Sequence, residues 1–214
     1  MRALLETVRA LESRDPHMGD HARKVQHYAT LIARRMGLPE RMIKRIELEA
    51  MLHDIGMLAL PDAIALHPGR LSDEQFAVMR RHPLLGARIL ESAEFLEPII
   101  PAVRYHHERV DGEGYPDGLS GKEIPLAARI IAVADAFDAM TSHRAFRQAM
   151  SVREALSEMG KASGTQFDPP VVAALIAETD RLGPKITDTL LSRLPCGTTE
   201  SFGEAPEDVK SSSA

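Results

Sequence analysis

Residues 126–140 read Leu-Ala-Ala-Arg-Ile-Ile-Ala-Val-Ala-Asp-Ala-Phe-Asp-Ala-Met, the most apolar helical stretch of the chain, opened by Pro125. A helix that is apolar on nearly every side must be covered by others, which puts this one at the centre of the fold. Yet it carries Asp135, one turn after Ile131, and Asp138 on the same face. A carboxylate on a buried face is costly unless it is paired or bound to a metal. Asp135 therefore reads as a metal or catalytic residue, and Asp138 as one that orients a ligand or holds an arginine.

The remaining apolar stripes end in the same way. Asp20 is expected to cap a helix carrying Val25, Ala29, Ile32 and Met36, with His21 turned inward at its first turn and Gly37 as its stop. Pro39 opens a helix whose core stripe, Ile43, Ile46 and Ala50, runs into His53 and Asp54, with Gly56 expected to end it. Ser72 to Gln75 is a capping box for a helix expected to finish near His82, where Pro83 forces a boundary. A helix from Pro98 is expected to finish at His106-His107. Ser151 to Glu154 is another capping box, and Asp168-Pro169 caps a last core helix. No alternating strand pattern of useful length occurs. The fold class is all-α, a single helical domain over 14–182, with a helix at 1–13 as linker or dimer seam and a flexible polar tail at 183–214.

A single histidine at a helix start is more often structural than a ligand, and a His-His pair at a helix end can simply complement the dipole. Five histidines (21, 53, 82, 106, 107) and two aspartates (54, 135) at inward positions are not explained by that. Thiolate ligation is limited by the lone Cys196. Imidazole with carboxylate suits two divalent ions, iron or manganese first, then zinc, nickel or cobalt. Asp54 can bridge while histidines fill terminal positions. Two ions roughly 3.5–4 Å apart serve phosphoester hydrolysis by stabilising attacking and leaving oxygens. A net charge of -5 argues against a general DNA or RNA binder. The lone cysteine fits a reducing cytoplasm, and no apolar run is long enough to span a bilayer.

Several segments in order carry a resemblance: His53-Asp54-Ile55-Gly56, His82-Pro83, His106-His107-Glu108, Asp111-Gly112-Glu113-Gly114-Tyr115-Pro116, Val133-Ala134-Asp135 and Thr141-Ser142-His143-Arg144. Together they resemble an HD-GYP domain, of the HD phosphohydrolase superfamily, over most of the chain. The resemblance implies hydrolysis of cyclic di-GMP to linear pGpG, with GMP as a further product. It implies that His21, His53, Asp54, His82, His106, His107 and Asp135 hold the metals, with Asp54 bridging. It assigns Arg144 and Arg147 to substrate phosphates, Asp15 to the nucleotide, and the loop around Gly114, Tyr115 and Pro116 to shaping the site and meeting GGDEF-domain partners.

Two positions depart from that family. Met57 stands where a lysine is usual and can neither carry charge nor donate a hydrogen bond. His17 stands where members with three metals place a glutamate, so it marks a third-metal position, and two ions are expected. Asp54 and Asp135 are the residues expected to be catalytic. Two alternatives stay open: a docking module that keeps metals but has lost rate, and a hydrolase of another cyclic dinucleotide or of a nucleotide monophosphate.

Overall fold

The computed structural model describes residues 16–67, 69–143 and 148–183, with side chains from residue 19 onward. Its helices are α1 (Pro16–Arg35), α2 (Glu40–Leu52), α3 (Asp62–Ala65), α4 (Asp73–Met79), α5 (His82–Leu90), α6 (Ile100–Tyr105), α7 (Leu126–Thr141), α8 (Val152–Lys161) and α9 (Pro169–Leu182). Three 3-10 turns join them, at Ile55–Ala59, Glu94–Ile99 and Gly121–Glu123. Among the described residues, extended pairing is confined to two isolated bridges, Asp111 with Ser120 and Ser163 with Phe167. The protein is all-α, as its periodicities require.

The apolar 126–140 stretch does become the central helix. α7 packs against α1, α2, α6, α8 and α9, and Ile130, Ile131, Val133, Ala134 and Phe137 are fully buried. Around it α1 contributes Val25, Tyr28 and Ile32, α2 contributes Ile43 and Ile46, and α8 and α9 contribute Met159 and Leu175. A smaller cluster gathers Leu52, Ile55, Leu90, Leu96, Ile99 and Val103 where α2, α5 and α6 meet. His53 and Asp54 lie in sequence between two members of that cluster, and His106 follows Val103 by three residues.

Four boundaries differ from those expected. Pro16 starts α1 instead of Asp20, because a proline costs nothing in the first turn; the Asp20 carboxylate instead pairs with Lys24 at 2.8 Å. α2 ends at Leu52, and Gly56 lies inside the following 3-10 turn rather than stopping the helix. α4 stops at Met79, and His82 begins the next helix because Pro83 suits a helix start. Pro98 falls within a 3-10 turn, and α6 stops at Tyr105 with His106 as its cap. Both capping boxes form, at Ser72–Gln75 and Ser151–Glu154. At the start of α9 the Asp168 carboxylate leaves the helix end uncapped and binds the Arg129 guanidinium of α7. The N-terminal stripe of 1–13 and the tail beyond Gly183 lie outside the described residues.

Candidate metal centre and its cavity

Three imidazoles are fixed by one local device. Nδ1 of His53 lies 2.7 Å from the Ala50 carbonyl, Nδ1 of His82 2.8 Å from that of Met79, and Nδ1 of His106 2.7 Å from that of Val103. Each partner lies three residues earlier, where the chain leaves helical geometry and a carbonyl is free to accept. A carbonyl can only accept, so Nδ1 carries a hydrogen, and the other ring nitrogen, Nε2, is the one left to bind a metal through its lone pair. All three rings are buried.

Those lone pairs converge on Asp54. Its Oδ1 lies 3.2 Å from His82 Nε2 and 3.7 Å from His106 Nε2. Its Oδ2 lies 3.4 Å from His53 Nε2 and 3.9 Å from His21 Nε2. His82 Nε2 and His106 Nε2 are 3.2 Å apart. Two lone pairs and a carboxylate oxygen at that spacing repel one another unless a cation sits among them. His53 Nε2 is buried and makes no hydrogen bond. The donor set therefore fits divalent metal ions. Ligand atoms fall into two groups, Asp54 with His82, His106 and His107, and Asp54 with His21 and His53, each within 4.8 Å of one another. Asp54 belongs to both.

Asp135 adds a carboxylate to the second group, with Oδ1 3.3 Å from His21 Nε2. Asp138 acts behind His21. Its Oδ2 lies 2.7 Å from His21 Nδ1, and the Ser142 hydroxyl donates to its Oδ1 at 2.8 Å. Burial pulls the His21 pKa down, but hydrogen bonds to Asp135 and Asp138 more than reverse this and raise it to about 10. Burial raises Asp54, and His53, His106 and His82 overcome it, holding the carboxylate well below the usual range. Asp135 is shifted down in the same way by His21. Burial and the neighbouring His106 and His82 push His107 well below an ordinary imidazole, which keeps it neutral and ready to ligate. The Asp54 and Asp135 side chains stay 26% and 20% exposed, with His21 at 18%, so these face the opening, whereas His53, His82 and His106 form the floor.

The glycine-punctuated loop folds back over this floor. The buried Glu108 accepts the Asp117 and Gly118 backbone N–H groups on Oε1 at 2.7 and 3.0 Å, and Tyr115 N–H donates to the His107 carbonyl. Gly114 approaches so closely that a Cβ there would sit 2.5 Å from Glu108 Cα. The Tyr115–Pro116 peptide is cis. The Tyr115 ring stacks on His107, centroids 4.9 Å apart at 27°. Beside the loop lies a cavity of about 650 Å³, lined among others by Phe76, Arg80, His107, Tyr115, Asp135 and Phe167.

Gly56 sets the distance between two ligand-bearing segments. A Cβ on it would lie 1.9 Å from the His82 carbonyl oxygen and 2.5 Å from Gly86 N. The bare backbone of the first 3-10 turn thus lies directly on α5, bringing Asp54 to His82. Met57 is buried in the same turn. All seven expected ligands are brought together. Arg144 and Arg147, Asp15 and the side chain of His17 lie outside the described residues. Phe76 and Arg80 were not singled out from the sequence; Glu108 was noted there as the acid directly after the His-His pair, but without a role.

An all-α bundle with a shared-carboxylate histidine centre at the mouth of a cavity defines the class of protein. Residues 7–171 match the HD domain family. Over 175 residues the chain is 42% identical to the cyclic di-GMP phosphodiesterase response regulator RpfG of Xanthomonas campestris pv. campestris, covering 81% of this chain and 46% of that protein. It is 39% identical over 183 residues to a probable cyclic di-GMP phosphodiesterase of Vibrio cholerae, covering 78% and 42%. It is also 33% identical over 173 residues to the 3'3'-cGAMP-specific phosphodiesterase 2 of Vibrio cholerae, covering 80% and 33%. Among solved structures it resembles Bd1817, an HDG"Y"P protein from Bdellovibrio bacteriovorus, with TM-score 0.63 and 20% identity, covering 78% of this chain and 53% of that one. The chain belongs to the HD domain family, in its HD-GYP branch. It spans less than half the length of these curated relatives.

Proposed function

We propose that this chain is a metal-dependent phosphodiesterase that hydrolyses cyclic di-GMP to linear pGpG, and pGpG onward to GMP, in cytoplasmic second-messenger signalling. The observation that carries this reading is the sharing of Asp54: one oxygen faces His82 and His106, the other faces His53 and His21. Such a set suits a pair of ions held by His21, His53, Asp54, His82, His106, His107 and Asp135, iron or manganese in the first place. When bound, the pair would polarise a phosphoryl oxygen and lower the pKa of water.

The chain's own residues do the rest. Carbonyls of Ala50, Met79 and Val103 keep the hydrogen on Nδ1, so each Nε2 lone pair stays aimed at the centre. Asp138 accepts a hydrogen bond from His21 Nδ1 and fixes that ring. Tyr115 holds the His107 plane by stacking, and Glu108 holds the loop that carries Tyr115. Asp54 and Asp135, assigned as catalytic on sequence grounds, are kept ionised by the imidazoles around them and would serve as metal ligands. Arg144 and Arg147 are assigned to substrate phosphates, Asp15 to the nucleotide and His17 to a third-metal position, on sequence grounds. A GGDEF-domain partner at the Gly114-Tyr115-Pro116 loop and a homodimer through the N-terminal helix belong to the same reading.

The test is incubation of manganese- or iron-loaded protein with cyclic di-GMP and chromatography of the products. The expected outcome is pGpG or GMP from the wild type and none from Asp54→Ala; equal product from both, or from neither, refutes the assignment. Cyclic di-AMP and 3'3'-cGAMP belong in the same panel, because one relative carries the latter in its name.

A second reading rests on Met57, which is buried in the turn after Asp54 where the branch usually has lysine. A missing charge-assisted contact is worth about 1.5–3 kcal/mol. On this reading the chain binds nucleotide and turns it over slowly, and Met57→Lys should raise kcat/KM; an unchanged rate in that variant would remove its basis.

A further inference from the structure

α4 contributes nothing to the ligand cluster, yet it presents two side chains to the cavity. Phe76 and Arg80 are four residues apart and so lie one above the other on one face of the helix and its cap. We propose that this face is the second wall of the nucleotide seat: Phe76 stacks on a base and Arg80 meets a phosphate of the dinucleotide half that is not being cut. The proposal rests on the phosphodiesterase reading and adds to it where the rest of the substrate lies.

Four observations carry it. Phe76 is 48% exposed, so much of its ring is open to a partner entering the cavity. The Arg80 guanidinium carbon lies 4.5 Å above the Tyr115 ring, and Tyr115 stacks in turn on His107. The column guanidinium, phenol, imidazole therefore runs from the cavity wall to the ligand cluster. Among the described residues, the cavity-lining cations are Arg80 and Arg109, and Arg109 is occupied by Asp111. Arg80 makes no ion pair with a described carboxylate, although Asp135, Glu108, Glu113 and Glu158 line the same cavity. Finally, the wall is joined to the centre by a short stretch of chain, because His82 follows Arg80 by two residues.

The chemistry of the pair is that of a nucleotide. A planar guanidinium bonds phosphate oxygens in a fork, and an aromatic face accepts any base by stacking. A small diester with neither a second phosphate nor a base has nothing for this wall to hold.

The experiment compares Phe76→Ala, Arg80→Ala and Arg80→Lys with the wild type, all metal-loaded. Substrates are cyclic di-GMP and methyl p-nitrophenyl phosphate, whose one ring is the leaving group and whose uncut half is a methyl, and equilibrium binding uses a hydrolysis-resistant phosphorothioate analogue of cyclic di-GMP. For each alanine variant, KM for cyclic di-GMP and Kd for the analogue should rise roughly tenfold or more. Their kcat and their rates on the small diester should hold, and Arg80→Lys should recover part of the affinity. Unchanged KM and Kd would overturn the proposal, as would an equal loss on the small diester, which would mean a merely structural role. If the wild type cleaves neither substrate, the phosphodiesterase reading fails instead, and analogue binding still judges the wall.

Discussion

Glu49 shows how a single buried group sets a pH dependence away from the metal centre. It lies in α2, 1% exposed, with Arg45 Nε 3.2 Å from Oε1 and no hydrogen bond to Oε2. Burial raises its carboxyl to about 7, against the pull of Arg45. Between its ordinary value of 4.5 and about 7, the native state keeps a proton that the unfolded chain has lost. Stability from this group is therefore present at low pH and lost as pH rises through about 7. Glu49→Gln should be more stable than wild type at pH 8, on the order of 1–2 kcal/mol in urea unfolding, and the gain should vanish near pH 4. An equal gain at both pH values would contradict it. The clustering of His53, Asp54 and Asp135 was legible in the sequence because these polar residues continue apolar stripes. Phe76 and Arg80 were not, and Glu108 was visible only as part of a motif, without its role. Glu108 acquires its partners only when the loop returns Asp117 and Gly118 to it, and Arg80 only when α4 passes over Tyr115.

At the scale of elements, the site depends on how closely two short segments approach. Gly56 lies in the first 3-10 turn with no room for a side chain against the backbone of α5. Gly56→Ala should lower stability by about 2 kcal/mol or more and weaken metal binding, since forcing atoms into a packed contact costs that much or more. Gly160 in α8 has nothing within 4 Å of a built Cβ, so Gly160→Ala is the matched control and should be neutral or slightly stabilising. Similar losses in both would show that the Gly56 contact is unimportant. The expected helix ends missed here by a few residues because prolines can start helices as well as stop them. Pro16 and Pro83 both sit in first turns. The capping boxes were readable because a serine with an acid or amide three residues on acts locally.

For the whole molecule, the centre joins α1, the end of α2, the start of α5, the end of α6 and α7 into one body. Ions bound there favour the folded state alone, by about 2.7 kcal/mol at a free concentration 100 times Kd. Chelator-treated protein should therefore unfold at a lower temperature than manganese-loaded protein, and Asp54→Ala should lose most of that difference in a thermal melt. The all-α class and central α7 were legible because periodicity is a property of the sequence itself. The cavity was not, since its walls come from segments as far apart as Phe76 and Phe167.

Asp54 divides its two oxygens between groups of unequal charge. The His21 and His53 side has Asp135 as a second acid, whereas the side of His82, His106 and His107 offers three imidazoles and, among the described residues, only a share of Asp54. An ion drawing on Asp54 from the Asp135 half would leave its neighbour held chiefly by imidazole, so filling of the two halves should be interdependent, with the three-ring half the first to empty when metal runs short.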